Sequence, residues 1–126
     1  MRSGKILVID DESFIRELIK DFLEMEHIPC ECAQDLETTI QKVSRETFQL
    51  ILLDRNLEEI KAEQVIEKIR EYQPDVPIIL LTGDQVFGEE YLNKIGVIGA
   101  IYKPFKVDEL LAEIKNIVEI KWKDCL

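Results

Sequence analysis

Short apolar runs alternate with longer segments that are apolar on one side only, and this alternation restricts the possible folds more than any other feature. Lys5 to Ile9, Leu50 to Leu53 and Pro77 to Leu81 are runs of almost wholly apolar residues. A strand with one wet face alternates apolar and polar residues, so these runs read as strands buried on both faces. The last of them follows Val76 and starts with a proline, at a position where a strand tolerates one. Cys30 to Ala33 and Ala100-Ile101-Tyr102 read as weaker second and fifth strands.

The intervening segments carry helical periodicity. Ile15, Leu18, Ile19, Phe22 and Leu23 form one stripe, with Arg16, Glu17, Lys20, Asp21 and Glu24 between them. The Pro29 region is expected to end that helix. Asp35 is a plausible N-cap for a second helix bearing Ile40 and Val43. Ala62, Val65, Ile66 and Ile69 stripe a third. A weaker fourth falls around Glu89 to Ile95, and Val107, Leu110, Leu111, Ile114, Ile117 and Val118 mark a strong last one. Strict alternation of this kind predicts an α/β fold with a parallel sheet and helices on both faces.

With 126 residues and no Pro/Gly/Ser-rich linker, the chain reads as one domain over 1–126, with 121–126 a tail or the start of a linker. No apolar run approaches the roughly 20 residues that span a bilayer. The first one ends in Asp10-Asp11-Glu12, unlike the apolar region of a signal peptide. A cytoplasmic location and no membrane contact are expected. The net charge of −10 argues against direct nucleic-acid binding, which needs clustered Lys and Arg. Three cysteines, Cys30, Cys32 and Cys125, do not suggest a disulfide framework. Cys30 and Cys32 would share one strand face and pack in the core. His27, the sole histidine, reads as a surface residue.

In parallel sheets ligands bind outside the carboxyl ends of the strands. There the sequence places Asp10 and Asp11, then Asp54, then Thr82-Gly83-Asp84, then Lys103-Pro104-Phe105. Carboxylates gathered at one rim repel one another unless a hard cation lies between them, and oxygen ligands suit Mg²⁺. A carboxylate can also act as a nucleophile and form an aspartyl phosphate. The charge on a transferring phosphoryl group then calls for a metal, a cation and hydrogen-bond donors. Lys103 and Thr82 supply the last two. Singly, each residue has an ordinary reading. Asp10 or Asp11 could cap a helix, Asp54 could begin a turn, Thr82 could cap, and Lys103 could be solvated. Their joint occurrence at the strand ends favours a shared site.

The ordered set Ile6-Leu7-Val8-Ile9-Asp10-Asp11-Glu12, Leu50-Ile51-Leu52-Leu53-Asp54, Ile79-Leu80-Leu81-Thr82-Gly83 and Tyr102-Lys103-Pro104-Phe105 resembles the receiver domain of two-component response regulators. The resemblance covers nearly the whole chain. It implies a flavodoxin-like (βα)₅ three-layer sandwich around a five-stranded parallel sheet. It implies Asp54 as phosphoacceptor and Mg²⁺ held by Asp11, Asp10, Asp54 and the Asn56 backbone carbonyl. Thr82 would hydrogen-bond the phosphoryl oxygens, Lys103 would pair with Asp54 or its phosphate, and the Lys103-Pro104 peptide would be cis. The implied activity is signalling, with no chemistry beyond the domain's own phosphorylation and dephosphorylation. A sensor histidine kinase or phosphotransfer protein would be the donor. The signal would pass to a downstream protein or fused output domain, or into a phosphorylation-dependent homodimer. The fourth helix, fifth strand and last helix, with Tyr91, Tyr102 and Lys106, would carry it.

The chain departs from the family pattern in two places. The family usually has Met-Pro at Leu57-Glu58 and Asp-Gly at Lys61-Ala62, so the loop into the third helix lacks a glycine that eases the turn. Ala100 stands where the family commonly has the aromatic residue that moves on phosphorylation, and the aromatic here is Tyr102. Asn56 and Asp84 occupy two positions that tune such sites. An amide paired with a carboxylate resembles fast-resetting chemotaxis regulators and implies a short-lived phosphorylated form.

Two enzyme-class or cofactor-class alternatives fit less well. A haloacid-dehalogenase-like phosphatase needs an acid two residues after its nucleophile, and Asn56 cannot transfer protons. A flavodoxin needs a Ser/Thr-rich phosphate loop where this chain has Asp10-Asp11-Glu12.

Overall fold

The structure is a computed structural model and describes residues 4–57, 60–83 and 87–117. Along the chain run β1 (Ile6–Ile9), α1 (Ser13–Met25), β2 (Cys30–Ala33), α2 (Leu36–Arg45), β3 (Leu50–Asp54), α3 (Ala62–Tyr72), β4 (Ile78–Thr82), α4 (Glu89–Ile95), β5 (Gly99–Tyr102) and α5 (Val107–Ile117). The strands pair in parallel in the order β2-β1-β3-β4-β5. The expected α/β sandwich is therefore what forms.

Each central strand is apolar throughout because it feeds two cores. Leu7, Ile9, Ile51, Leu53 and Leu80 point to one side, where α2, α3 and α4 contribute Val43, Val65, Ile66, Ile69 and Leu92. Ile6, Val8, Leu50, Leu52, Ile79 and Leu81 point to the other, against Ile19 and Leu23 of α1 and Leu110, Leu111 and Ile114 of α5. Burying each such aliphatic side chain contributes about 1.5–3 kcal/mol. Cys30 and Cys32 share the second of these faces, Cys30 buried and Cys32 half-buried.

Helix boundaries follow local hydrogen bonding. Asp35 caps α2 as expected, accepting from the Thr38 amide at 2.8 Å. Thr39 rather than Ile40 is buried beside Val43, because its hydroxyl donates to the Asp35 carbonyl at 2.8 Å. The end of α1 differs from expectation. His27 turns the chain at φ 64°, before Pro29 is reached. The Ile28 amide donates back to the Leu23 carbonyl (2.9 Å) and that of His27 to the Glu24 carbonyl (3.0 Å). This left-handed closure satisfies the last carbonyls of the helix. Gly96, at φ 87°, closes α4 in the same way.

The unusual loop after β3 also has a defined form. Asn56–Leu57 and Ile60–Lys61 pair as a small antiparallel ribbon. Leu57 is buried in the core, and Ala62 is the first residue of α3, buried and helical. Lys61, just before it, is extended at φ −77°. Neither Lys61 nor the helical Ala62 is left-handed, so the entry to α3 does not need the glycine usual at position 62. Of the other expectations, Asp84, Val118, Cys125 and the tail 121–126 lie outside the described residues.

The strand order creates the functional edge. After β2 the chain crosses back over β1 to reach β3, so neighbouring strands β1 and β3 send their chains to opposite faces. Their carboxyl ends form the switch-point crevice of such sheets. Ile9 pairs with Leu53, which places Asp10 next to Asp54.

Candidate functional site

Asp10 directly follows β1 and is fully buried. Its Oδ1 accepts from the Glu12 amide at 2.9 Å, and its own amide donates to the Ala33 carbonyl at 3.1 Å. The Arg16 guanidinium donates to its carbonyl at 2.6 Å. Neither Asp10 nor Asp11 caps α1, because the N-cap position is Glu12, whose side chain makes no capping bond. Asp54 is the last residue of β3 and is only 9 % exposed, so it does not begin a turn. One carboxylate oxygen from each of Asp10, Asp11 and Asp54 lies within 4.8 Å of the others.

Lys103 follows β5 and reaches into this group. Its Nζ lies 3.1 Å from Asp10, 3.6 Å from Asp54 and 3.7 Å from Glu12. Its amide donates to the Thr82 carbonyl at 2.7 Å, which ties the two strand ends together. The Lys103-Pro104 peptide is cis. Thr82 ends β4 and is buried, and α4 takes Gly88 rather than Thr82 as its N-cap. The amide of Asn56, itself exposed, points to the Asp54 carboxylate at 3.4 Å.

The electrostatics are unbalanced. Burial pushes the Asp54 carboxyl up to about 6, and the Asp10 charge pushes the same way against Lys103. Burial works against the Lys103 ammonium, yet the Asp10 and Asp54 carboxylates outweigh it and raise its pKa. One ammonium thus faces several carboxylates. A hard, oxygen-preferring dication fits this donor set, because it would relieve the repulsion that now falls on Asp54.

Against these features, the response regulator receiver domain family matches residues 6–115. The chain belongs to that family. It is thus a receiver domain of two-component signalling, a phosphoacceptor module with a flavodoxin-like fold. The receiver domain is 34% identical to the response regulator ArlR of Staphylococcus saprophyticus, over 93% of this chain and 57% of that protein. It is also 34% identical to the transcriptional regulatory protein SrrA of Staphylococcus aureus, over 92% and 48%. The chain spans about half the length of the curated relatives it matches. A CheY-like receiver domain protein from Methanospirillum hungatei superposes with a TM-score of 0.77 at 29% identity, covering 89% and 90% of the two chains. The chemotaxis protein CheY4 of Vibrio cholerae shares the fold, with a TM-score of 0.82, 23% identity and coverage of 90% and 98%.

The fold thus brings Asp10, Asp11, Asp54, Asn56, Thr82 and Lys103 of the receiver domain to one edge. Ala100 is half-buried on β5, and Tyr102 lies two residues on, 37% exposed. Its hydroxyl accepts from the Phe87 amide at 3.1 Å. Sequence reasoning missed two features of this edge. Arg16 clamps the Asp10 carbonyl, although its spacing marks it only as a polar residue of α1. Arg55 lies over the Phe87 ring, 4.9 Å from its centre. An aromatic residue in the polar segment 82–90 was the available signal for that contact.

Proposed function

We propose that Asp54 accepts a phosphoryl group from a phosphohistidine and that its occupancy is read by a protein partner. A single observation carries this reading. Asp54 ends a buried strand with its carboxylate beside two further carboxylates and one ammonium, at the rim where this fold binds ligands. The carboxylate oxygen attacks phosphorus, an O–P bond forms, and the N–P bond of the donor imidazole breaks. Lys103 holds negative charge next to the new acyl phosphate, and the Thr82 hydroxyl donates to a phosphoryl oxygen. Asp10, Asp11, Asp54 and the Asn56 carbonyl would hold Mg²⁺, whose charge supplies neutralisation of the carboxylates and the phosphoryl oxygens. The domain catalyses its own phosphorylation and dephosphorylation and acts on no other substrate.

Residues 1–126 act as one receiver unit in the cytoplasm. No described helix is long and apolar enough to cross a membrane. The donor is a sensor histidine kinase or phosphotransfer protein. A groove of about 510 Å³ opens beside Lys103, lined by Phe14, Leu18, Pro104 and Phe105, and Phe14 is 71% exposed. It suits the apolar face of a helix that brings a histidine to Asp54. The output leaves through α4, β5 and α5, where Ile98, Tyr102 and Lys106 are exposed. It reaches a downstream protein or output domain, or a second phosphorylated copy. The regulatory names of ArlR and SrrA support such an output.

The test is incubation with Mg²⁺ and acetyl phosphate followed by intact-mass measurement. The wild type gains one phosphoryl group and Asp54→Asn gains none. Uptake by both proteins, or by neither, overturns the assignment. Asn56 and Asp84 support a short-lived phosphorylated form, and a half-life of many hours would refute that part.

A further inference from the structure

Two nucleophilic side chains play no part in the phosphoryl site. Cys30 and Cys32 are two apart on β2, the edge strand that pairs with β1 alone. Side chains alternate along a strand, so both sulfurs lie on the α1 side of the sheet. Cys30 is buried and Cys32 half-buried, and their thiols hydrogen-bond to each other. Two residues span about 6.6 Å along a strand, at the outer limit for the Cα atoms of a disulfide. The pair is therefore held as two thiols, and Cys32 is the one that solvent reaches.

Charged groups surround the pair. From α1, the Lys20 ammonium donates to the Cys30 carbonyl at 2.8 Å and pairs with Glu24 at 2.9 Å. One turn earlier on that helix, the Arg16 carbonyl accepts from the Cys32 thiol at 3.8 Å. Lys42 of α2 and Lys5 both pair with Glu31, the residue between the two cysteines. The hydrogen bond from Cys30 draws the Cys32 thiol below its usual range. Burial opposes it, and the charges of Lys20, Arg16 and Lys42 add to it. Cys30 is pushed the other way, by its bond to Cys32 and by burial. One thiol is thus readied as a nucleophile, and its neighbour is the donor that stabilises the thiolate.

Cys32 is also two contacts from the phosphoryl site. Arg16, whose carbonyl meets Cys32, sends its guanidinium to the Asp10 carbonyl at 2.6 Å. Ala33, next to Cys32, accepts from the Asp10 amide at 3.1 Å. Both backbone groups of Asp10 are therefore held by neighbours of Cys32.

We propose that Cys32 is a site of thiol–disulfide exchange with small-molecule disulfides, and that the adduct loosens Asp10 and slows phosphoryl uptake. Cys32 gives up its proton to solvent, and its thiolate attacks one sulfur of the disulfide. A new S–S bond forms, the old one breaks, and the second sulfur leaves as a thiolate that takes up a proton. Cys32 is oxidised, and the departing thiol is the reduced product. The added group removes the S–H donor from the Arg16 carbonyl and presses α1 away from β2. Arg16 carries that shift to Asp10. The effect on uptake rests on Asp54 being the acceptor.

The experiment uses the whole chain carrying Cys125→Ser, which leaves the two strand thiols, with hydroxyethyl disulfide as the probe. Intact mass and peptide mapping are expected to show one adduct, on Cys32. The exchange rate should reach half its plateau at a lower pH than in the same chain unfolded in urea. Lys20→Gln should move that midpoint up, towards the unfolded value. Phosphoryl uptake from acetyl phosphate and Mg²⁺ should be several-fold slower in the adduct and recover after reduction with dithiothreitol. The modification site is overturned by no adduct, by an adduct on Cys30, or by equal midpoints in the folded and unfolded chain. A loss of two hydrogens, the mark of a Cys30–Cys32 disulfide, overturns it too. Unchanged uptake by the adduct overturns the link to Asp10. An unmodified chain that takes up no phosphoryl group overturns the acceptor assignment and leaves the exchange result standing.

Discussion

The two ends of the sheet handle charge in opposite ways. Around its amino end, Lys5 pairs with Glu31 at 2.8 Å and Glu46 at 2.7 Å, and Lys42 pairs with Glu31 at 2.5 Å. Gln73 is buried there and donates to the Val43 carbonyl at 2.9 Å and the Glu46 carbonyl at 2.7 Å. Arg70 donates to the Val76 carbonyl at 2.6 Å and the Gly96 carbonyl at 2.9 Å, so it ties loops together. At the carboxyl end, carboxylates face one another across Lys103. One end matches its charges in pairs and ties loops through Gln73 and Arg70. The other keeps an unmet demand for positive charge, and that demand is what a ligand can answer.

The comparison can be broken most severely at Gln73. Gln73→Ala leaves a buried and a part-buried carbonyl without their donor. It is expected to cost about 3 kcal/mol, read as a lower urea midpoint. Phosphoryl uptake by the molecules that remain folded should be unchanged. The opposite end responds to metal instead. Mg²⁺ at ten times its dissociation constant should stabilise the wild type by about 1.4 kcal/mol in thermal melts. Asp11→Asn should lose most of that gain.

A smaller effect concerns Asp54 without metal. Its folded pKa, about 6, lies above its usual 3.8. A raised acid pKa means the folded state holds the proton more tightly. The resulting stabilisation is complete below the unfolded value and is lost as pH rises through about 6. Asp54→Asn, which has no such proton, should therefore be the more stable protein at pH 7, by on the order of 1 kcal/mol. The gap should shrink as pH falls toward 4. Melting curves across that range that stay parallel would contradict the electrostatic account. The smallest change belongs to Lys5→Met at the other end. Its pairs are half-buried and still reached by solvent, so the melting temperature should fall only slightly and the difference should shrink in high salt.

The sequence made the layered fold readable because two-faced burial leaves wholly apolar strands and one-faced burial leaves striped helices. Asp10, Asp54, Thr82 and Lys103 were readable for a related reason. A polar residue directly after an apolar strand can lie only at the sheet's edge. Strand order was not readable from periodicity, since any parallel arrangement buries the same residues. The ribbon at 56–57 and 60–61 is too short to carry a period. The left-handed turn at His27 uses a residue other than glycine, so the usual sequence mark of such a turn is missing. The contacts of Arg16 and Arg55 are likewise invisible, because a long flexible side chain has a reach that spacing does not encode.

Lys103 and Asp10 are 93 positions apart in the chain and meet at 3.1 Å. Their partners Asp54 and Thr82 come from two further strands. No fragment or partly folded copy can assemble that meeting. A molecule able to take up the signal has therefore already passed an inspection of its own integrity. A copy too damaged to fold would hold no such site.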